Sequence, residues 1–188
     1  MDAYTELRLR PQPEMSVHHL MSAVFGRLHL ALVRSERQDI GVSFPEHGDR
    51  PPGLGAIMRL HGRREALDSL EATGWTKFVR DYAQTRPVAD VPEGCMHRVV
   101  SRVQAKSGVD RLRRRAMRRH DIDATEAARR IPVEAAEQLA LPFMILGSRS
   151  TGQPSFPLFI RHGPLLSDSR SGTFSTYGLS AEATIPWF

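Results

Sequence analysis

A chain of 188 residues, 40% of them hydrophobic, is long enough to bury a core as one domain or two small ones, which excludes disorder throughout. It carries 26 Lys and Arg against 21 Asp and Glu, a formal +5. Setting aside the six arginines of RLRRRAMRRH, 111–120, leaves 20 against 21, so the basicity sits in one segment and reads as the footprint of a polyanion.

The first residues, MDAYTELRLRPQPE, lack the apolar core of a secretion signal, and no stretch reaches the ~18 apolar residues of a membrane helix. A cytoplasmic protein with no membrane partner is expected. Tyr4 to Arg10 alternates Leu7 and Leu9 with charged neighbours, the period of a strand, and Pro11 and Pro13 end it. From Glu14 to Arg34, Val17, Leu20, Met21, Val24, Phe25, Leu28 and Leu32 form the stripe of an amphipathic helix. Ile40 to Phe44 and Ile57 to His61 read as strands around the loop PEHGDRPPG. Arg64 to Ala72 reads as a helix ending near Gly74, and Pro87 to Val91 as the next strand. The order β-α-β-β-α-β is the ferredoxin-like (RRM-like) pattern, a fold shared by many functions.

Cys95, the single cysteine, rules out an intrachain disulfide and leaves no basis for a cysteine zinc site. His97 to Lys106 reads as a strand, and Ser107 to Asp110 as the start of the arginine helix. Asp123 and Glu126 have capping-box spacing for a short helix ending before Pro132, and Val133 to Ala140 reads as another. Phe143 to Leu146, Phe156 to Arg161 and Thr173 to Leu179 read as strands. The fold class expected is α+β: a ferredoxin-like domain over 1–95, then a smaller α/β domain over 96–188 bearing the arginine helix.

At roughly 100° per residue, Arg111, Arg114, Arg115, Arg118 and Arg119 fall within about 140° of arc, while Leu112, Ala116 and Met117 lie opposite. Only Arg113 breaks the segregation. A disordered tail has no reason to sort its residues this way. A merely solvated face usually mixes signs, whereas this run holds no acid, so a nucleic-acid face is expected. Its apolar side is too small for a membrane-surface helix. Only Lys77 and Lys106 are lysines. The preference for arginine suits bidentate contacts to phosphates and guanine edges, although GC-rich coding also favours it. Arg102 and Gln104, two apart on the preceding strand, fit the edges of guanine and adenine, or are simply exposed polar residues on an edge strand.

Cleaving RNA without a metal takes a group with pKa near neutrality to accept the proton of a 2′-hydroxyl, and donors to orient that hydroxyl. His29 fits the first role, although histidines at the edge of an apolar stripe are more often structural. Ser148, Ser150, Thr151 and Tyr177 are hydroxyl candidates for the second. GSRSTG lacks the lysine of a phosphate-binding loop and is not the GxSxG of a hydrolase. HDID, 120–123, superficially suggests a metal site, but neighbouring positions rarely converge on one ion and the basic helix repels cations. Neither metal nor cofactor is expected.

LMSAVFGRLHLAL around His29, IGVSFP, SRVQAKS, RLRRRAMRRH, LPF with SRSTGQ, LFIRHGPL, TYGLS and the terminal PWF occur in order along nearly the whole chain. In these segments the chain closely resembles the type I-F CRISPR-associated endoribonucleases, which cut precursor CRISPR RNA at its repeat hairpin. The resemblance implies a ferredoxin-like N-terminal domain and a C-terminal domain whose arginine helix enters the major groove of the repeat stem. It implies metal-independent attack by the 2′-hydroxyl upstream of the cut, leaving a 2′,3′-cyclic phosphate and a 5′-hydroxyl. By the same resemblance His29 transfers the proton, Ser148 constrains the nucleophilic ribose and Tyr177 orients His29. Arg102 and Gln104 read base edges, and Arg114, Arg115, Arg118, Arg119 and His120 hold the groove and the phosphates, with Ser150 and Thr151 beside the RNA. An aromatic after STGQ stacks beneath the terminal base pair. The family pattern has one residue before that aromatic, whereas here Pro154 and Ser155 precede Phe156, so Phe156 is the stacking candidate and Tyr177 is assigned through TYGLS. The implied partners are the CRISPR repeat RNA stem-loop and other subunits of a type I-F surveillance complex. A hairpin-binding assembly subunit that does not cut would share the basic helix without needing His29. A general RRM-like module fits less well, because the aromatic RNP pattern is absent.

Overall fold

The computed structural model describes residues 1–104, 109–131, 139–147 and 155–188. Strand β1 (Ala3–Leu9) opens the chain one residue earlier than its alternation predicts. Helix α1 (Val17–Ser35) starts where the Ser16 hydroxyl accepts the His19 amide at 3.3 Å, and it buries Leu20, Met21, Val24, Phe25, Leu28 and Leu32. Strand β2 (Gly41–Ser43) follows. The loop after it holds a small ribbon, β3 (Gly48–Asp49) with β4 (Pro52–Gly53), that composition alone did not suggest. Strand β5 (Ile57–Gly62) is buried throughout, and helix α2 (Arg64–Ala72) spans the residues its pattern predicts. A 3-10 turn (Trp75–Phe78) leads to β6 (Ala83–Thr85) and β7 (Ala89–Asp90). These strands form one antiparallel sheet in the order β2-β5-β1-β6, with β7 pairing the start of β1. The expected strand at 87–91 is thus shortened to β7, and β6 was not anticipated.

Helix α1 packs against β1 on one side and, along the other, against a second sheet. That sheet runs β11-β8-β10-β9, from β8 (Met96–Val103), β9 (Phe143–Leu146), β10 (Phe156–Leu166) and β11 (Thr184–Trp187), all antiparallel. The strand expected at 173–179 is not one. There Phe174 N–H donates to Gln38 O at 2.9 Å, Ser175 N–H to Leu179 O at 2.9 Å and Gly178 N–H to Ser175 O at 2.8 Å, so the backbone closes on itself as a turn. Its apolar residues, Phe174 and Leu179, are buried individually in the core rather than as the face of a strand. Gly178 is required in that turn: its φ is +66°, and a Cβ there would run into the side chain of Val42.

The chain divides into two compact units, Met1–Val103 with Leu141–Phe188, and Gln104–Ala140. Within the second, α3 (Val109–His120) packs against α4 (Ala124–Arg130). Asp123 caps α4 as expected, its carboxylate accepting Glu126 N–H at 2.8 Å. The mixed helices and antiparallel sheets make the fold α+β, with four α-helices among the described residues. The helix expected at 133–140 lies largely outside them. Among the described residues no helix is long and apolar enough to cross a membrane.

Two histidines, His61 buried and His162 half-buried, make this fold sensitive to acid. His61, with Ser43 Oγ 2.9 Å from its Nε2, is pushed down to about 3 by burial and by the Arg59 guanidinium. His162, stacked on His47 at 3.7 Å, is pushed down to about 3 by burial, then by His47 and Arg98, and neither of its nitrogens has a hydrogen-bond partner among the described residues. The unfolded chain takes protons at these sites near pH 6.5 while the folded chain does not, so stability is lost as pH falls from about 6.5 towards 3. Each site steepens that loss by up to ~1.4 kcal/mol per pH unit. Urea unfolding of His162→Leu should therefore show a shallower loss between pH 6.5 and 4 than the parent protein; parallel curves would contradict this origin.

Candidate active site

His29 sits on α1 one residue past the buried Leu28, half-buried, with its ring on the sheet-β9 side of the helix. Its Nδ1 lies 2.8 Å from the carbonyl oxygen of Thr176. A carbonyl only accepts, so Nδ1 carries the hydrogen and donates, and in the neutral ring Nε2 is left with its lone pair. The imidazole lies flat on the ring of Tyr177, with centroids 4.1 Å apart and planes 10° apart, and Tyr177 is in turn parallel to the buried Phe25 at 6.4 Å. The 175–178 turn supplies both contacts. The carbonyl of Gly178 accepts Val42 N–H at 2.8 Å, anchoring that turn to the first sheet.

Arg102, exposed near the end of β8, places its guanidinium 5.6 Å from the Tyr177 ring and 5.7 Å from that of Phe156, the first residue of β10. His29, Tyr177, Arg102 and Phe156 are therefore brought together, from four separate segments. A groove of about 670 Å³ opens beside them between α1 and β9, with Gly26, Arg27, Ile145 and Gly147 among its walls. Its width is set by Ser22. The buried hydroxyl donates to His18 O at 2.9 Å and accepts Ile145 N–H at 3.1 Å, tying the strand to the helix. Neither Ser22 nor the Thr176 carbonyl was singled out in the sequence. A small polar residue at the edge of the α1 stripe was the one available signal for the first, and a backbone carbonyl offers none.

Ser148, Ser150 and Thr151 lie outside the described residues; Gly147, which precedes Ser148, lines the groove. Gln104 is exposed and falls one residue past the end of β8, so it does not share that strand with Arg102 as its spacing suggested. In the second unit, Arg114, Arg115, Arg118, Arg119 and His120 are exposed on α3, while Leu112, Ala116 and Met117 are half-buried. The side chain of Arg111 is outside the description. Arg113, the one residue that broke the segregation, lies on the packed side, and its Nε donates to the carbonyl of Ile131 at 2.9 Å, satisfying an acceptor at the end of α4. Among the described residues no group of three or more His, Cys, Asp and Glu side chains could hold a metal ion.

The bond to Thr176 fixes which nitrogen carries the hydrogen, and nitrogen-15 spectra of imidazole-labelled protein with the His29 ring neutral should show the Nδ1–H tautomer. An Nε2–H pattern would mean that the bond is absent in solution.

The comparisons with known proteins agree in direction. The family model for the CRISPR-associated protein (Cas_Csy4) matches residues 4–188. A protein of Pseudomonas aeruginosa (strain UCBPP-PA14) named CRISPR-associated endonuclease Cas6/Csy4 is 49% identical over 188 residues, the whole of both chains. One of the same name from Escherichia coli (strain UTI89 / UPEC) is 48% identical over the same span. With a family match from residue 4 to the last residue and two full-length relatives near half identity, the chain belongs to the Cas_Csy4 family of CRISPR-associated proteins.

Proposed function

We propose that this protein is a metal-independent endoribonuclease that recognises the repeat hairpin of precursor CRISPR RNA and cuts at its 3′ base. The observation that carries the reading is the His29 site: an imidazole pinned by a backbone carbonyl and an aromatic face, with the lone pair of the neutral ring on Nε2, beside an open groove. The endonuclease name of both relatives supports it. The 2′-oxygen of the ribose upstream of the cut attacks phosphorus, the bond from phosphorus to the 5′-oxygen breaks, and the products end in a 2′,3′-cyclic phosphate and a 5′-hydroxyl. The proton leaves the 2′-hydroxyl and one arrives on the 5′-oxygen, with His29 Nε2 as the exchanging atom. Ser148 constrains the nucleophilic ribose, and Tyr177 positions His29.

Residues 1–95 carry the histidine on a ferredoxin-like domain, a reading supported by the β2-β5-β1-β6 order with two helices. Residues 96–188 form the RNA-recognition domain. There Phe156 stacks under the terminal base pair and Arg102 and Gln104 read base edges. Ser150 and Thr151 lie beside the RNA, and Arg114, Arg115, Arg118, Arg119 and His120 hold the stem. Because these contacts are to the stem, cutting at its base removes few of them, and the product is retained within a type I-F surveillance complex in the cytoplasm. No cofactor is required.

The test is a short RNA with the repeat hairpin of the protein's own locus, in EDTA, beside a copy with a 2′-deoxy residue just upstream of the cut. The parent protein should cut only the first. His29→Ala should bind it with about the parental affinity and cut at least ~100-fold more slowly, the lower end of what a positioned proton-transfer group contributes. Equal cutting by both proteins would remove His29 from the mechanism, and tight binding without cutting by the parent would leave the assembly-subunit reading. If Arg115 and Arg119 meet phosphates, replacing either by alanine should reduce the slope of log affinity against log salt by about one. An unchanged slope would place the arginine elsewhere.

A further inference from the structure

We infer that the groove between α1 and β9 is a binding subsite for the unpaired nucleotide on the leaving side of the cut, the one whose 5′-oxygen departs. The inference rests on the reading of His29 as the proton-transferring residue.

Three observations converge. The groove is continuous with the catalytic cluster: Tyr177, Phe156 and His29 line it, and it reaches back along α1 to His19, ten residues or about 15 Å away. Its volume of about 670 Å³ lies in the range, about 300–1,000 Å³, of sites that enclose small organic ligands, and so has room for a nucleoside and its phosphate. Among the described residues its lining includes Arg27 and two histidines and contains no carboxylate, in a chain with 21 of them, which suits a phosphodiester. Arg27 is held in place by lying 5.2 Å over the exposed ring of Phe78.

A further observation is Gly26. It lies in the interior of α1, where glycine is the most costly residue after proline. Among the described residues nothing requires it, because a Cβ built there meets none of their atoms within 4 Å. The bare backbone leaves room for a ligand to approach closely, and Gly26 forms part of the groove floor, one helical turn from His29.

The direction follows from the cluster. In the proposed pose the upstream ribose belongs to the stem, which rests on Phe156 and Arg102 at the His29 end. The single strand beyond the cut must continue past His29, and the groove is open there. Holding that nucleotide fixes the 5′-oxygen opposite the attacking 2′-oxygen, the alignment that transesterification requires.

The experiment uses the full chain with Gly26→Leu, single-turnover cutting of the hairpin RNA, affinity for the cut hairpin, thermal unfolding, and an RNA abasic at the first nucleotide past the cut. Gly26→Leu should cut at least tenfold more slowly, bind the cut hairpin within twofold of the parent, and melt no lower than it. The abasic RNA should be cut more slowly by the parent and show little further loss with the variant. Parental cutting by Gly26→Leu, parental cutting of the abasic RNA, or a matching loss of affinity for the cut hairpin would each overturn the inference. If the parent cuts nothing, the nuclease reading fails by itself. The groove is then read by 2-aminopurine at the same nucleotide of the intact RNA: a fluorescence change on binding that Gly26→Leu abolishes supports the subsite, and no change overturns it.

Discussion

The hydrogen bond from His29 Nδ1 to the carbonyl of Thr176 joins residues 147 positions apart and sets what the site can do. A histidine on a helix surface has two tautomers and several rotamers, and only one combination presents a basic nitrogen to a substrate. The carbonyl selects the tautomer, and the face of Tyr177 holds the ring plane. Both come from one turn, so the site exists only when the 175–178 segment is docked. Gly178 and its bond to Val42 keep it there, which links the strand order of the first sheet to the orientation of one imidazole.

The same logic explains Ser22. A helix and a strand edge placed side by side would normally close over their apolar faces. Here a buried hydroxyl takes the amide of Ile145 and gives its own hydrogen to His18, so the spacing is set by two hydrogen bonds. The buried Ser22 hydroxyl would be costly without partners, and this cost holds the groove wall in register. The groove is thus as much a product of polar satisfaction as of packing.

How far the sequence anticipated this arrangement depended on whether each feature was local. The boundaries of α2, the capping of α4 by Asp123 and the two faces of α3 all follow from spacings within a dozen residues, and the structure has them. Arg113 broke the periodicity because its partner, the Ile131 carbonyl, lies on the next helix. β11 was hidden by Pro186 and by its four-residue length, and 173–179 looked like a strand because apolar residues buried one by one in a turn can mimic alternation. From the residues alone His29 and Tyr177 stood out only as residue types, and it was the family resemblance that gave them roles. Their parallel stacking, the Thr176 carbonyl and the Ser22 bridge depend on contacts between distant segments and have no local signature.

Under the proposed function, binding and chemistry draw on different physics in this chain. The arginines of α3 belong to one compact unit, and the His29 cluster to the other. Affinity from many guanidiniums meeting phosphates accumulates over a long surface and is screened by salt. Proton transfer instead depends on the position of one nitrogen to a few tenths of an ångström and gains nothing from added charge. A site crowded with arginines would also push a histidine towards its neutral form and remove its acid role. Around His29 the described structure has Arg102 placed over aromatic rings and Arg27 held over Phe78, with the dense cationic face carried by the other unit. Under the proposed function, that division would let the protein keep its product by charge while one imidazole serves the cut.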